Sequence, residues 1–275
     1  MPGKSRGAST LELPADPGGV PPLPRCVSRD AGAPSASMTC TLFYLHGFAS
    51  SPGSYKAGWL ARRLAPHGLP LRVPDLNGGD FGNLTLSRQA AVVREEIADT
   101  RGEVVLVGSS FGGYLAALVA ECEPRVTRLV LLAPAFGAGA LFARSLGSER
   151  LAAWRARGWL ELPAEIDAAR RRLHFAAVAD ALEHDARPLR RQLPALLCHG
   201  VHDATVPFAA SVDYLRGNRA AQLLLLPDEH SLHASLEGVW GQLCLFLGLD
   251  PGVPESPVDA APAASVRHPA RSGGA

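Results

Sequence analysis

The stretch that most restricts this chain is Glu103–Glu121, where an apolar run, a glycine-flanked turn and an alanine-rich run follow one another without a break. Glu103-Val104-Val105-Leu106-Val107 is short and β-branched, and reads as a buried strand. Phe111 to Glu121 is rich in Ala and Leu and reads as a helix. Between them lies Gly108-Ser109-Ser110-Phe111-Gly112, a G-x-S-x-G pentapeptide. Strand, sharp turn and helix is the context in which this pentapeptide makes a nucleophile elbow. The turn is so tight that the flanking positions have no room for side chains, and Gly108 and Gly112 carry none. Ser110 is the central residue, with its Oγ expected above the sheet at a helix N-terminus. A nucleophile at Ser109 would put Val107 and Phe111 at the crowded positions, so Ser110 is the candidate.

The rest of the chain repeats the same alternation. Strand-like runs fall at Thr41–Leu45, Leu69–Val73, Glu103–Val107, Val126–Ala133, Ala195–Cys198 and Gln222–Leu226. Helix-like runs lie near 54–65, 85–100, 111–121, 208–216 and 232–247. Alternation of this kind makes a parallel sheet of about six strands covered by helices on both faces. In such a sheet the site lies outside the carboxyl ends of the strands. Residues 135–194 break the rhythm: no good strand is evident, and short helices are expected at Glu149–Arg157, Ala164–Leu173 and Phe175–Asp185. An insertion of this length is read either as a helical cap over the site or as a helical excursion packed on the sheet.

Residues 1–37 are Pro-, Gly-, Ala- and Ser-rich without period, and the tail 250–275 is Pro- and Ala-rich, so both are expected to be disordered around a domain spanning 38–249. Met38, just before the first strand, is a candidate natural start.

A serine hydroxyl needs a base, and the base needs an orienting acid. After this elbow the expected chain order is Ser, Asp or Glu, His. Asp203 follows an apolar strand in Leu196-Leu197-Cys198-His199-Gly200-Val201-His202-Asp203, and Val206-Pro207 then open a helix. Asp213 and Asp228 are weaker alternatives. His230 follows the last strand in Leu226-Pro227-Asp228-Glu229-His230, with His233 as its rival one turn on. The oxyanion donors are assigned to the amides of Phe111, after the nucleophile, and Phe48, in the His46-Gly47-Phe48 loop after the first strand. Substrate-contact candidates are Gly47, Phe81, Trp154 and Trp159.

Other chemistries fit less well. The pairs His199-x-x-His202 and His230-x-x-His233 suggest metal ligands, but neither is H-E-x-x-H and no cysteine joins them, so no metal is expected. Asn77-Gly78-Gly79-Asp80-Phe81-Gly82 is Gly-rich but matches no phosphate-binding loop, so no nucleotide cofactor is expected. A net charge of +1 with scattered arginines gives no basic stripe for nucleic acid. No apolar run is long enough to span a membrane, and no apolar h-region follows Lys4 and Arg6. Five cysteines, an odd number with no C-x-x-C pair, suit a reducing compartment, so a cytoplasmic location is expected.

The motifs together resemble the α/β-hydrolase superfamily, and more closely small bacterial esterases of the YqiA type. The matching pieces are Tyr44-Leu45-His46-Gly47-Phe48-Ala49-Ser50-Ser51-Pro52, Val73-Pro74-Asp75-Leu76-Asn77 and Gly108-Ser109-Ser110-Phe111-Gly112-Gly113-Tyr114. They continue with His199-Gly200, Asp203 and Val206-Pro207, then Asp228-Glu229-His230-Ser231-Leu232. The resemblance covers about residues 40–248 and implies an α/β-hydrolase fold, a Ser110–His230–Asp203 triad, no cofactor and hydrolysis of a small carboxylic ester. A thioester substrate for the same triad, or a non-catalytic ligand-binding protein on the same fold, are the alternatives. The long N-terminal stretch and the long insertion depart from the smallest members, and the oligomeric state is not legible.

Overall fold

The computed structural model describes residues 40–163, 166 and 172–255. The expected N-terminal extension, the Met38 start and most of the C-terminal tail lie outside the described residues. Six parallel strands form the central sheet: β1 (Cys40–Leu45), β2 (Leu71–Arg72), β3 (Glu103–Ser109), β4 (Val126–Leu132), β7 (Ala195–Gly200) and β8 (Ala221–Leu226). Their order across the sheet is β2-β1-β3-β4-β7-β8. The chain leaves β1 toward one edge and resumes at β3 on its other side. The switch in direction therefore falls between β1 and β3, where open parallel sheets place their sites.

Alternate strand residues look to opposite faces, and both faces are covered. Leu42, Val105, Val130 and Leu196 share one apolar cluster with α1 (Tyr55–Leu64) and α8 (Leu236–Leu247). Phe43, Leu106, Leu131 and Leu197 share the other with α2 (Leu86–Ala98) and α3 (Phe111–Cys122), and α7 (Ala209–Gly217) adds Tyr214. Burial on both faces is why these strands read as unbroken apolar runs. Each fully buried Leu, Val or Phe contributes roughly 1.5–3 kcal/mol by leaving water. Thr85 starts α2 by accepting a hydrogen bond from the Arg88 amide at 3.1 Å, as an N-cap threonine does.

Several element ends differ from the sequence expectation; the second strand, expected over Leu69–Val73, pairs only through Leu71 and Arg72. Helix α8 begins at Leu236, not near 232, because Leu232 adopts a positive φ of 54° and Asp228 accepts the Ser235 amide. The segment 232–235 is therefore loop. The insertion also contains strand: β5 (Trp159–Glu161) pairs antiparallel with β6 (Arg172–His174). Of the helix expected over Ala164–Leu173, residues 164, 165 and 167–171 lie outside the described residues, and Arg172 and Leu173 are in β6. Around this hairpin stand α4 (Ala138–Leu146), α5 (Ser148–Arg157) and α6 (Ala176–Asp185). They enclose a third apolar cluster of Phe81, Leu84, Trp154, Leu173 and Val178. Trp154 is only 2% exposed, and its indole Nε1–H donates to the Leu173 carbonyl at 3.1 Å, tying α5 to β6. The insertion thus has a core of its own, which also reaches Phe48 from the loop after β1.

Candidate active site

Ser110 sits between β3 and α3 with φ 54° and ψ −118°, a backbone conformation that non-glycine residues rarely hold. Strain of this kind costs on the order of 1–3 kcal/mol and persists only where surroundings over-determine it. Here they do: the Ser110 amide donates to the Leu132 carbonyl at 2.8 Å, and its own carbonyl accepts the Gly113 and Ala135 amides. A Cβ on Gly112 would lie 2.1 Å from the Leu45 carbonyl oxygen, and one on Gly108 would lie 2.3 Å from that of Gly112. Both glycines are therefore steric necessities of the turn. Ser109, the competing serine, ends β3 and is 5% exposed, with its hydroxyl bonded to the buried Tyr44. Burial pushes the Tyr44 phenol up to about 12, against the opposing pull of the Ser109 hydroxyl, so it stays neutral.

The loops after β7 and β8 meet over this turn. The His202 amide donates to the Asp228 carbonyl, and a Cβ on Gly200 would lie 2.2 Å from that same oxygen, so glycine alone permits the approach. It brings Asp203 and His230 into line with Ser110. The Ser110 hydroxyl lies 2.9 Å from His230 Nε2, and His230 Nδ1 lies 2.7 Å from Asp203 Oδ2. Nδ1 faces a carboxylate and so carries the proton, which leaves Nε2 to accept from the serine. The Asp203 side chain is fully buried, while the His230 side chain is 26% exposed. Asp203 Oδ1 accepts the Thr205 and Val206 amides at 2.9 and 2.8 Å.

The rival residues lie elsewhere. Asp213 is exposed on α7 and pairs with Arg216. Asp228 is buried, but its two oxygens accept the Glu229 and Ser235 amides and hold its own loop. Burial would raise the Asp228 carboxyl, yet these amides hold it below the ordinary carboxylate value. His233 is exposed and meets the Tyr55 ring edge-on at 4.9 Å.

The amide of Phe111, first residue of α3, has no acceptor within its helix. The loop after β1 brings Phe48 beside it: a Cβ on Gly47 would stand 3.5 Å from Ser110 Cβ, and the Phe48 and Phe111 rings meet edge-on at 6.1 Å. His46 steadies this loop. Its Nδ1 is 3.1 Å from the Gly47 carbonyl, and its Nε2 accepts the Leu76 amide.

Beside Ser110 opens a cavity of about 410 Å³. Phe48, Phe111 and Val206 line it from the strand ends, and Phe142, Trp154 and Val178 from the insertion. None of its described lining residues carries a charge. Of the sequence-expected contact residues, Trp154 is in the lining. Phe81 packs behind Phe48, with ring centroids 5.4 Å apart. Gly47 lies under the elbow, and Trp159 lies on β5 against Gly82, His174 and Arg172, outside the lining.

Three residues at this site were given no part in the triad from the sequence, His199 having been weighed there only as one of a metal-ligand pair. His199, at the end of β7, is wholly buried and contacts Asp203. Ser211 on α7 is wholly buried against it. Lys56 on α1 donates to the Ser231 carbonyl at 2.8 Å, next to His230. The available signal for His199 was a polar ring inside an apolar strand, which must find partners when buried. For Lys56 it was a lysine retained in a chain that otherwise uses arginine after residue 4.

Comparison with known proteins agrees with this architecture. Residues 41–240 match the model of the family described as Uncharacterised protein family (UPF0227), and the chain belongs to that family. It is the family of the YqiA-type proteins that the sequence motifs resemble. Among solved structures, mouse alpha/beta hydrolase domain-containing protein 10 is 21% identical, with a TM-score of 0.62 over 74% of this chain and 90% of its own. A putative hydrolase from Agrobacterium vitis S4 is 22% identical, with a TM-score of 0.65 over 76% and 88%. The Paleococcus ferrophilus monoacylglycerol lipase is 16% identical, with a TM-score of 0.55 over 76% and 94%. These similarities show that the fold is that of the α/β-hydrolases.

Proposed function

We propose that this member of UPF0227 is a serine hydrolase that cleaves small carboxylic esters through an acyl-enzyme. The observation that carries the reading is the unbroken line Ser110 Oγ, His230 Nε2, His230 Nδ1, Asp203 Oδ2, at 2.9 and 2.7 Å, ending beside an apolar cavity. His230 takes the Ser110 proton as Oγ attacks the ester carbonyl. Asp203 holds the ring in the tautomer that can accept it and stabilises the imidazolium that results. The Phe48 and Phe111 amides receive the oxyanion, a contribution usually worth a hundred-fold or more per donor. His230 then returns the proton to the departing alcohol. Water, deprotonated by the same imidazole, releases the acid.

The cavity favours an uncharged apolar acyl group, since a buried charge among Phe142, Trp154 and Val178 would lose its hydration without a partner. The lipase named among the structural relatives acts on a neutral acyl ester, in keeping with this choice. Cys122, Cys198 and Cys244 are free thiols, which suits work in the cytosol; no helix of the described residues is long and apolar enough to cross a membrane.

Covalent labelling by a fluorophosphonate, read by intact mass, tests the proposal. Wild type is expected to gain one probe mass and Ser110→Ala none. A folded wild type that neither labels nor hydrolyses any of a panel of oxygen esters would sink it, and faster turnover of matched thioesters would redirect it.

A further inference from the structure

Resting on that reading, we infer that His199 is a positioning residue. Its Nε2–H is a second imidazole donor to the oxygen of Asp203 that orients His230, and Ser211 holds the opposite ring nitrogen.

The geometry leaves little choice of protonation. His199 Nε2 lies 3.1 Å from Asp203 Oδ2 and 3.0 Å from the Val206 carbonyl oxygen. Both are acceptors, so Nε2 must carry a hydrogen. Nδ1 lies 2.8 Å from the Ser211 hydroxyl. His199 and Ser211 are each 0% exposed, so no solvent competes for either contact. Burial pushes the His199 imidazole below its ordinary value, against the opposing pull of the Val206 carbonyl and Asp203. The ring is then neutral, and Ser211 O–H donates to Nδ1. The two acceptors facing Nε2 set the tautomer, and the Ser211 hydroxyl, able to donate or to accept, completes it by donating to the bare Nδ1.

Asp203 in turn is filled. Oδ1 accepts two backbone amides, and Oδ2 accepts one N–H from His230 and one from His199. A carboxylate has about four acceptor directions, and all four are used. This has two effects on His230. The carboxylate cannot rotate away from Nδ1 without losing three other bonds. And Oδ2 shares its charge with His199, which moderates its hold on the imidazolium, so the proton is more readily given up to the leaving group. The charged and titratable neighbours of this centre are His230 and Asp228 on the β8 loop, His199 on β7 and Lys56 on α1. His199→Leu removes one donor from that set, and His199→Gln offers an amide N–H in its place.

The test is a ¹⁵N-histidine NMR titration of wild type, His199→Leu, His199→Gln and Ser211→Ala, run beside pH profiles of kcat and KM. In wild type, His199 is expected as the neutral Nε2–H tautomer throughout. In His199→Leu, the His230 titration and the acid limb of kcat/KM move together to higher pH, because Oδ2 then binds the imidazolium more tightly. kcat falls about 10- to 100-fold with KM little changed, the equivalent of one hydrogen bond to a charged group. His199→Gln restores the limb to the wild-type position, and Ser211→Ala leaves the His199 tautomer unchanged, because Asp203 and the Val206 carbonyl still face Nε2. An Nδ1–H tautomer at His199 in wild type would overturn the inference. So would an unmoved His230 titration in a folded His199→Leu, or a displaced one in His199→Gln. Should His199→Leu fail to fold, the wild-type tautomer and the Gln variant still decide. A wild type without turnover would count against the esterase reading alone, since the NMR arms need no substrate.

Discussion

Gly200→Ala should disconnect His230 from Asp203 without touching either residue. The added methyl would stand 2.2 Å from the Asp228 carbonyl oxygen, 2.6 Å from that of Glu229 and 2.7 Å from the Asp228 carbonyl carbon. Contacts under 3.0 Å are essentially never seen for a real Cβ, so the Asp228 carbonyl must retreat by at least about 0.8 Å. All three atoms are backbone, and no side-chain rotamer can absorb the clash. That backbone carries His230 two residues on, whereas Asp203 stays with Gly200 on the β7 loop. The displacement therefore opens the His230–Asp203 contact, which starts at 2.7 Å. A misplacement of about 1 Å in a catalytic constellation costs about 100-fold in rate. Overpacking of this size also destabilises by about 1–3 kcal/mol, with a Tm fall of roughly 2–4 °C per kcal/mol for a domain of this length. The assay is kcat/KM on a short-chain chromogenic ester beside a thermal melt. Gly217→Ala serves as control, since nothing lies within 4 Å of a Cβ there. A folded Gly200→Ala whose kcat/KM stays within about three-fold of wild type would refute the claim that this approach aligns the site.

Two further outcomes are expected. Burial lowers the Lys56 ammonium to about 8, against the pull of Asp228 and Asp203. The unfolded chain then binds more protons than the folded one between that value and the ordinary lysine value of 10.5, so wild type should gain stability on Lys56→Met as pH rises through this window; a pH-independent difference in melts would count against it. Trp154→Ala should cost about 3–5 kcal/mol by emptying the core of the insertion, and should slow cleavage of medium-chain esters more than acetates; an equal loss on both would mean that Trp154 supports the fold but not the pocket.

Much of this architecture was legible in the chain because parallel strands buried on both faces leave unbroken apolar runs. Val104–Val107 and Leu129–Leu132 are of this kind. The elbow was legible because only glycine satisfies Gly108 and Gly112. What escaped reading depends on contacts distant in sequence. Helix α4 begins at Ala138 behind an N-cap glycine, Gly137, with φ 71° and no capping side chain, so the Gly-Ala-Gly-Ala run before Leu141 carries no start signal. Strands β5 and β6 are three residues each, too short for a period, and exist through their pairing across the intervening segment. The loop 232–235 replaces a helical turn because of one positive φ and one long-range carboxylate contact. His199 looked like half of a metal pair from its spacing to His202. Its role emerges only when the β7 loop folds back to set Asp203 four residues away against its ring.

The cavity has two owners. The floor that holds Ser110, Phe48 and Val206 is built from strand ends locked to the sheet, whereas Phe142, Trp154 and Val178 belong to an insertion with its own apolar cluster. Changes in the insertion can resize the cavity while the line from Ser110 to Asp203 stays fixed by β3, β7 and β8. Selectivity in such a molecule is free to drift at a rate that the chemistry is not, and descendants of one ancestor can keep a common engine behind very different doors.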